Sequence, residues 1–167
     1  MKFTFHTVNT DYCNYLRKSD PRVPYTMDKK SIRPFVGIVF TVNNHNYYAP
    51  LTSPKQKHIS MKNQVDFLKI NDGKWGAINF NNMIPVPSEL LNKIELRHYE
   101  NDSVEEQHYK NLLANQLSWC NSNKDKIIKQ AEKLYIMITS NKAREALLNR
   151  CCNFKLDEEN CLKYINQ

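Results

Sequence analysis

Phe35-Val36-Gly37-Ile38-Val39-Phe40-Thr41-Val42-Asn43-Asn44-His45-Asn46-Tyr47-Tyr48-Ala49-Pro50-Leu51-Thr52-Ser53-Pro54-Lys55 is the stretch on which the fold turns. Its first eight residues are apolar on both parities and rich in β-branched and aromatic side chains, so they predict a central strand covered on both faces. Asn43-Asn44-His45 predicts a tight turn, and Tyr47-Tyr48-Ala49 pairs back as a hairpin. At the far end of that arm two prolines stiffen the backbone around Thr52 and Ser53, with Lys55 immediately after. Hydroxyls beside a cation on a rigid strand exit suit a phosphate. The plainer alternative is a surface turn whose hydroxyls bond only nearby backbone.

Working outward, residues 2 to 8 alternate apolar and polar and predict a strand with one buried face. Thr10 is placed to cap a short helix whose Tyr12, Tyr15 and Leu16 share a face. Residues 19 to 34 hold three prolines and no period, which predicts a long basic loop of the functional kind. The basic stretch 55 to 62 is expected to be exposed. Val65 to Ile70 and Trp75 to Phe80 predict two strands joined at Asn71-Asp72-Gly73, and Met83 to Val86 a further short one. Hairpin-linked strands imply an antiparallel sheet that curls toward a small SH3-like barrel.

After Pro87 the pattern turns helical. Asp102-Ser103-Val104-Glu105-Glu106 makes a helix start ahead of an apolar stripe at Tyr109, Leu112, Leu113, Leu117 and Cys120. The next helix should bury Ile127, Ala131, Leu134, Tyr135 and Ile138. Shorter helices are expected at 141 to 151 and at 157 to 165, the last capped by Asp157. Strands followed by helices give an α+β class, with the helices mostly in the C-terminal part. The 167 residues predict a single domain, 1 to 167.

The formal charge of +7 is unevenly placed. Residues 1 to 62 hold ten Lys or Arg against three acids, and the remaining residues balance. An excess of that kind around a hydroxyl-bearing turn is the footprint of a polyanion, so nucleic acid is the leading partner. Arg22, Lys29, Lys30, Lys57, His58 and Lys62 are the candidate backbone contacts. No apolar stretch reaches the length of a membrane span, and five cysteines without a Cys-x-x-Cys pair predict buried thiols in a reducing cytoplasm.

Scattered histidines and the lack of a spaced carboxylate cluster favour chemistry without a metal or other cofactor. Three glycines leave no phosphate-binding Gly-rich loop, which removes nucleotide hydrolysis. Phosphodiester cleavage without a metal needs an internal nucleophile, and RNA carries one in its 2′-hydroxyl. Thr52, Ser53, Lys55, Arg33, and either Tyr109 or His58 are the side chains able to assist. A non-catalytic RNA-binding regulator stays open as the alternative. A DNA-binding regulator is disfavoured, because no helix carries a base-reading pattern.

Tyr48-Ala49-Pro50-Leu51-Thr52-Ser53-Pro54-Lys55, with Met61-Lys62-Asn63 and Asn79-Phe80-Asn81-Asn82-Met83-Ile84-Pro85-Val86, resembles the ToxN/AbiQ endoribonucleases of type III toxin-antitoxin systems. Tyr109-Lys110-Asn111-Leu112-Leu113 and Cys151-Cys152-Asn153-Phe154-Lys155-Leu156 extend the likeness over the whole chain. The resemblance implies a curled sheet similar to the MazF and Kid toxins. It also implies metal-independent cleavage of adenine-rich single-stranded RNA, leaving 2′,3′-cyclic phosphate and 5′-hydroxyl ends. It further implies an RNA antitoxin partner, a short pseudoknotted repeat closed with the protein into one assembly, and a role in abortive phage infection. By the same likeness Ser53 addresses the scissile phosphate, Thr52 and Lys55 share its pocket, and Tyr109 supplies an aromatic hydroxyl. The family has a lysine where this chain has Arg33. Arginine keeps the charge but does not readily release a proton, so phosphate clamping is the role implied there.

Overall fold

A computed structural model describes residues 1–28 and 31–167. The long hairpin is its spine. β4 (Phe35–Val42) pairs with β5 (His45–Thr52). Asn43 and Asn44, at φ 49° and 65°, make the connection, a turn in which two left-handed residues match the twist of the strands. Both strands are buried along nearly their whole length, as an apolar run without alternation requires. β1 (Thr4–Val8) lies on the other side of β4 and carries β9 (Leu91–Lys93) at one edge of the sheet. Past β5 come β7 (Ala77–Asn79) and then β6 (Phe67–Lys69) at the opposite edge, while β8 (Ile84–Pro85) pairs with the middle of β5. The described pairing path runs β6-β7-β5-β4-β1-β9, antiparallel throughout. The fold is α+β with its helices mostly C-terminal.

α1 (Thr10–Ser19) buries Tyr12, Cys13 and Leu16. Its cap is Asn9 rather than Thr10: the Asn9 side chain accepts from Tyr12 N at 3.0 Å, one residue earlier than expected. The stretch predicted as an unbroken loop contains β2 (Met27–Asp28), paired with β3 (Ser31–Ile32). The basic stretch after Lys55 is also ordered, as α2 (Gln56–Ser60), and it buries His58 rather than exposing it. α3 (Val104–Ser122) starts within the predicted segment 102–106, where Ser103 and Glu106 form a capping box, and α4 (Lys124–Thr139) buries Ile127, Ala131, Leu134 and Tyr135. α5 (Glu145–Arg150) and α6 (Phe154–Ile165) follow. The α6 cap is Asn153, accepting from Leu156 N at 3.2 Å. Asp157, expected to cap, is fully buried inside the helix instead.

The core lies between the sheet and the helical half. Tyr47 and Tyr135 each donate to Glu158 Oε1 at 2.7 Å, so one buried carboxylate joins β5, α4 and α6. Around it Phe40 stacks on Tyr47, and Phe154 packs on both tyrosines. All five cysteines are buried free thiols.

Candidate active site

β5 ends at Thr52, and the chain leaves the sheet through Ser53 and Pro54 into Lys55, the residue before α2. Two glycines allow the neighbouring turn to press against this exit. Gly76 has φ +89°, and a Cβ there would stand 2.1 Å from the Thr52 carbonyl oxygen. Gly73, also at +89°, would bring a Cβ to 2.5 Å from the His58 carbonyl oxygen. The turn between β6 and β7 is therefore the backing plate of the Thr52–Lys55 segment and of α2 together.

In front of that plate lies a cavity of about 420 Å³ lined by Arg22, Arg33, Lys55, Lys57, Thr52 and His58 among others, and among the described residues by no carboxylate. Arg33 is oriented by the backbone, its Nε donating to Tyr25 O at 3.1 Å and its Nη1 to Leu51 O at 3.2 Å. Arg22 donates through Nε to Asn149 O, and Asn82 Nδ2 donates to Arg22 O at 2.8 Å. Four cations gathered in one concavity form an anion site, and fixed donors lose little on binding.

Ser53 and Tyr109 line a separate narrow crevice of about 30 Å³ behind the β5 exit, together with Leu113 and Gln116 of α3. Thr52 lines both spaces, so it is the hinge between the hydroxyl side and the cationic side. Tyr109, predicted within an apolar stripe, is 37% exposed and faces Ser53's crevice. Lys62 is exposed on the connection leaving α2 and does not line the cavity. Lys29 and Lys30 lie outside the described residues.

His58 is only 2% exposed. Its Nδ1 accepts from the Lys55 backbone N–H at 3.1 Å, which puts the proton of the neutral ring on Nε2. Burial, then the charges of Lys55 and Lys57, hold its pKa below the ordinary histidine value. The ring thus sits neutral beneath the segment that carries Lys55.

The fold also gathers Asp20, Cys152 and Asp157, with ligand atoms within 4.8 Å of one another and all three residues buried. Sequence reading did not foresee this cluster, whose members are far apart along the chain. Asp20 accepts from Asn153 N at 2.7 Å and from Arg22 N at 3.2 Å. Burial and then the Asp20 charge push the Asp157 pKa up to about 9, so near neutral pH Asp157 carries a proton. Asp20, which accepts from Arg22 N, holds the Arg22 segment from behind the cavity, while neither Asp157 carboxyl oxygen has a hydrogen-bond partner among the described residues.

Asn79, Asn82, Met61 and Phe67 complete the cavity wall, and local pattern did not single them out. Asn79 and Asn82 sit at the end of β7 and just beyond it, in a stretch whose only signal was its likeness to a known family.

The family model for "Toxin ToxN, type III toxin-antitoxin system" matches residues 4–162. The chain belongs to the ToxN family. The endoribonuclease ToxN of Bacillus thuringiensis subsp. kurstaki is 33% identical over 164 residues, covering 96% of this chain and 83% of the relative. Among solved structures, a type III toxin described as selectively inhibited by a non-coding RNA pseudoknot is 30% identical. It superposes with a TM-score of 0.81 over 100% of both chains. AbiQ, described as a lactococcal anti-phage endoribonuclease of a type III system, gives a TM-score of 0.83 at 27% identity, again over 100% of both chains. A ToxN fold therefore underlies the whole cationic cavity, and the Thr52–Lys55 exit is part of it.

Proposed function

We propose that this ToxN-family chain is an endoribonuclease toxin of a type III toxin-antitoxin system, acting as one unit over residues 1 to 167 in the cytoplasm. Its substrate is single-stranded, adenine-rich RNA, and its inhibitor is a short pseudoknotted repeat RNA that it processes and that then fills the site. Release of the toxin during phage infection halts growth. The observation that carries this reading is the cavity beside the Thr52–Ser53 exit, which gathers Arg22, Arg33, Lys55 and Lys57 around one concavity.

The cleavage chemistry follows from those residue types. The substrate 2′-oxygen attacks the adjacent phosphorus, the bond to the 5′-oxygen breaks, and the products carry a 2′,3′-cyclic phosphate and a 5′-hydroxyl. Charge builds on the phosphorane oxygens, where Lys55 and Arg33 stabilise it, while Ser53 and Thr52 hold the phosphate in line. Tyr109, across the crevice from Ser53, offers a phenolic hydroxyl to the same phosphate. Lys57, Lys29, Lys30 and Lys62, with Arg22, bind flanking backbone. No metal ion is required. The same reading extends the fold toward the curled small barrels of the MazF and Kid toxins, with β5 as the strand shared by β4, β7 and β8.

A preorganised donor in such a site contributes about 3 to 4 kcal/mol to the transition state. Ser53→Ala and Lys55→Ala are each expected to slow cleavage by about two orders of magnitude or more with unchanged melting temperature. Wild-type cleavage by a folded Ser53→Ala protein would sink the assignment. Cleavage should persist in chelator and stop when the scissile nucleotide lacks its 2′-hydroxyl. Expression of the protein alone should arrest growth, as binding without cleavage would not.

A further inference from the structure

A second concave surface, of about 630 Å³, lies on the other side of the β6 edge strand. One rim is α4, which presents Lys126, Lys129 and Lys133, all exposed and none in an ion pair among the described residues. Their spacing of three and four residues places them in one row about 10 Å long. Asp125 and Glu132, seven residues apart, fall on the neighbouring stripe of the helix and do not line the groove. The opposite rim is Asn63 and Gln64. The two rims are joined directly, because Gln130 Nε2 donates to Gln64 O at 2.7 Å. Lys69 N donates to Asn63 Oδ1 at 2.8 Å, and Arg150 Nη2 to Gln64 Oε1 at 3.1 Å, so the polar rim is braced on both flanks. Among the described residues no carboxylate lines this groove either.

The groove and the cleavage cavity share a wall. Met61 and Phe67 face the cavity, whereas Asn63, Gln64 and Leu68 face the groove. Phe67 and Leu68 are consecutive on β6, and successive side chains of a strand point to opposite faces. Because β6 is an edge, a chain leaving the cavity can round it at residues 61 to 64, passing the exposed Lys62, without crossing the sheet.

We propose that this groove is a second RNA-backbone site, in which Lys126, Lys129 and Lys133 hold phosphates of RNA that runs on from the cleavage cavity around the β6 edge. The proposal rests on the ribonuclease reading above and adds a partner surface that the sequence concealed. The C-terminal 105 residues are charge-balanced, yet the fold places three of their lysines along one groove with no acid among the described lining residues. Phosphate oxygens are the complement of unpaired ammonium groups. The amides of Asn63 and Gln64 suit sugar hydroxyls, which extends the site toward RNA rather than DNA.

The test is the triple variant Lys126→Ala, Lys129→Ala, Lys133→Ala. Binding is measured against salt with 2′-O-methylated RNA, which lacks the nucleophile, in a long strand and in a short one spanning only the scissile step. Cleavage of unmodified short RNA is measured alongside. Three lost phosphate contacts should reduce the slope of log K on log salt by about 2 for the long strand. Its affinity should fall by about tenfold or more near physiological salt. Binding and cleavage of the short strand should match wild type. Wild-type affinity and slope on the long strand would overturn the proposal and leave an acidic protein as the groove's occupant. Equal losses on long and short strands would also overturn it, since the lysines would then serve the cavity itself. If wild-type protein neither binds nor cleaves either strand, the ribonuclease reading fails, and this assignment fails with it.

Discussion

His58 is the residue whose chemistry changes most between chain and fold. Solvated in a basic loop it would add charge for RNA, but beneath Lys55 it is an uncharged acceptor that fixes the backbone from which the Lys55 side chain departs. His58→Ala leaves that N–H without its partner, and kcat/KM should drop by about tenfold as the ammonium loses its setting. Asparagine places an oxygen near the Nδ1 position, so His58→Asn should recover activity to within about threefold of wild type. The acid side of the pH profile separates positioning from chemistry. The folded ring has a pKa below the ordinary value of 6.5, so the hydrogen bond is intact above that value and is lost as pH falls through the lowered one. His58→Asn has no group to protonate there, and its activity should stay flat on the acid limb where the wild type declines. If His58→Asn is as inactive as His58→Ala, the ring itself takes part in proton transfer.

Among the elements, the turn between β6 and β7 matters to the site out of proportion to its length. Gly76 lets it pass against the Thr52 carbonyl, so any Cβ must push the β5 exit forward and also adopt a left-handed backbone. Gly76→Ala should lower stability by about 2 kcal/mol or more and reduce cleavage by more than the stability loss explains. The neighbouring Lys74→Ala, exposed and in ordinary helical geometry, should change neither. A Gly76→Ala protein with wild-type melting temperature and rate would contradict the backing role. The main hairpin, the α3 start and the buried stripe of α4 are legible in the sequence, because each is written in local period, turn residues or a helix-start pattern. The stiff exit at Thr52 and Ser53, between Pro50 and Pro54 and just ahead of Lys55, is legible for the same reason. β9 and the β2–β3 pair are not legible, since strands of two or three residues leave no period. Nor is the support of the site by Gly73 and Gly76, which depends on a close approach between segments about twenty residues apart.

Over the whole molecule, the short connection from Asn149 to Asn153 ties the C-terminal helices to the Asp20–Arg22 and Asn81 segments that flank the cationic cavity. Asn149 O accepts from Arg22, Cys152 N donates to Asn81 O at 2.8 Å, and Asn153 N donates to Asp20. Arg150 completes the set with a bidentate pair to Asp66, at 2.6 and 3.0 Å, on the wall shared with the second groove. None of these ties has a local sequence signature, because each spans between about 70 and about 130 residues, so a chain whose basic excess lies at one end depends on its other end to aim those charges. Asp66 is 4% exposed, and removing its partner leaves a buried carboxylate without its guanidinium. Arg150→Ala should therefore cost about 1 to 3 kcal/mol, read as a lower denaturation midpoint, and raise KM for RNA more than it lowers kcat. Asp66→Asn in the same chain removes the stranded charge, so the double variant should be more stable than Arg150→Ala alone, a coupling that a thermodynamic cycle measures directly. Purely additive losses would mean that the pair is solvated decoration, and that the C-terminal connection holds the cavity through its backbone hydrogen bonds alone.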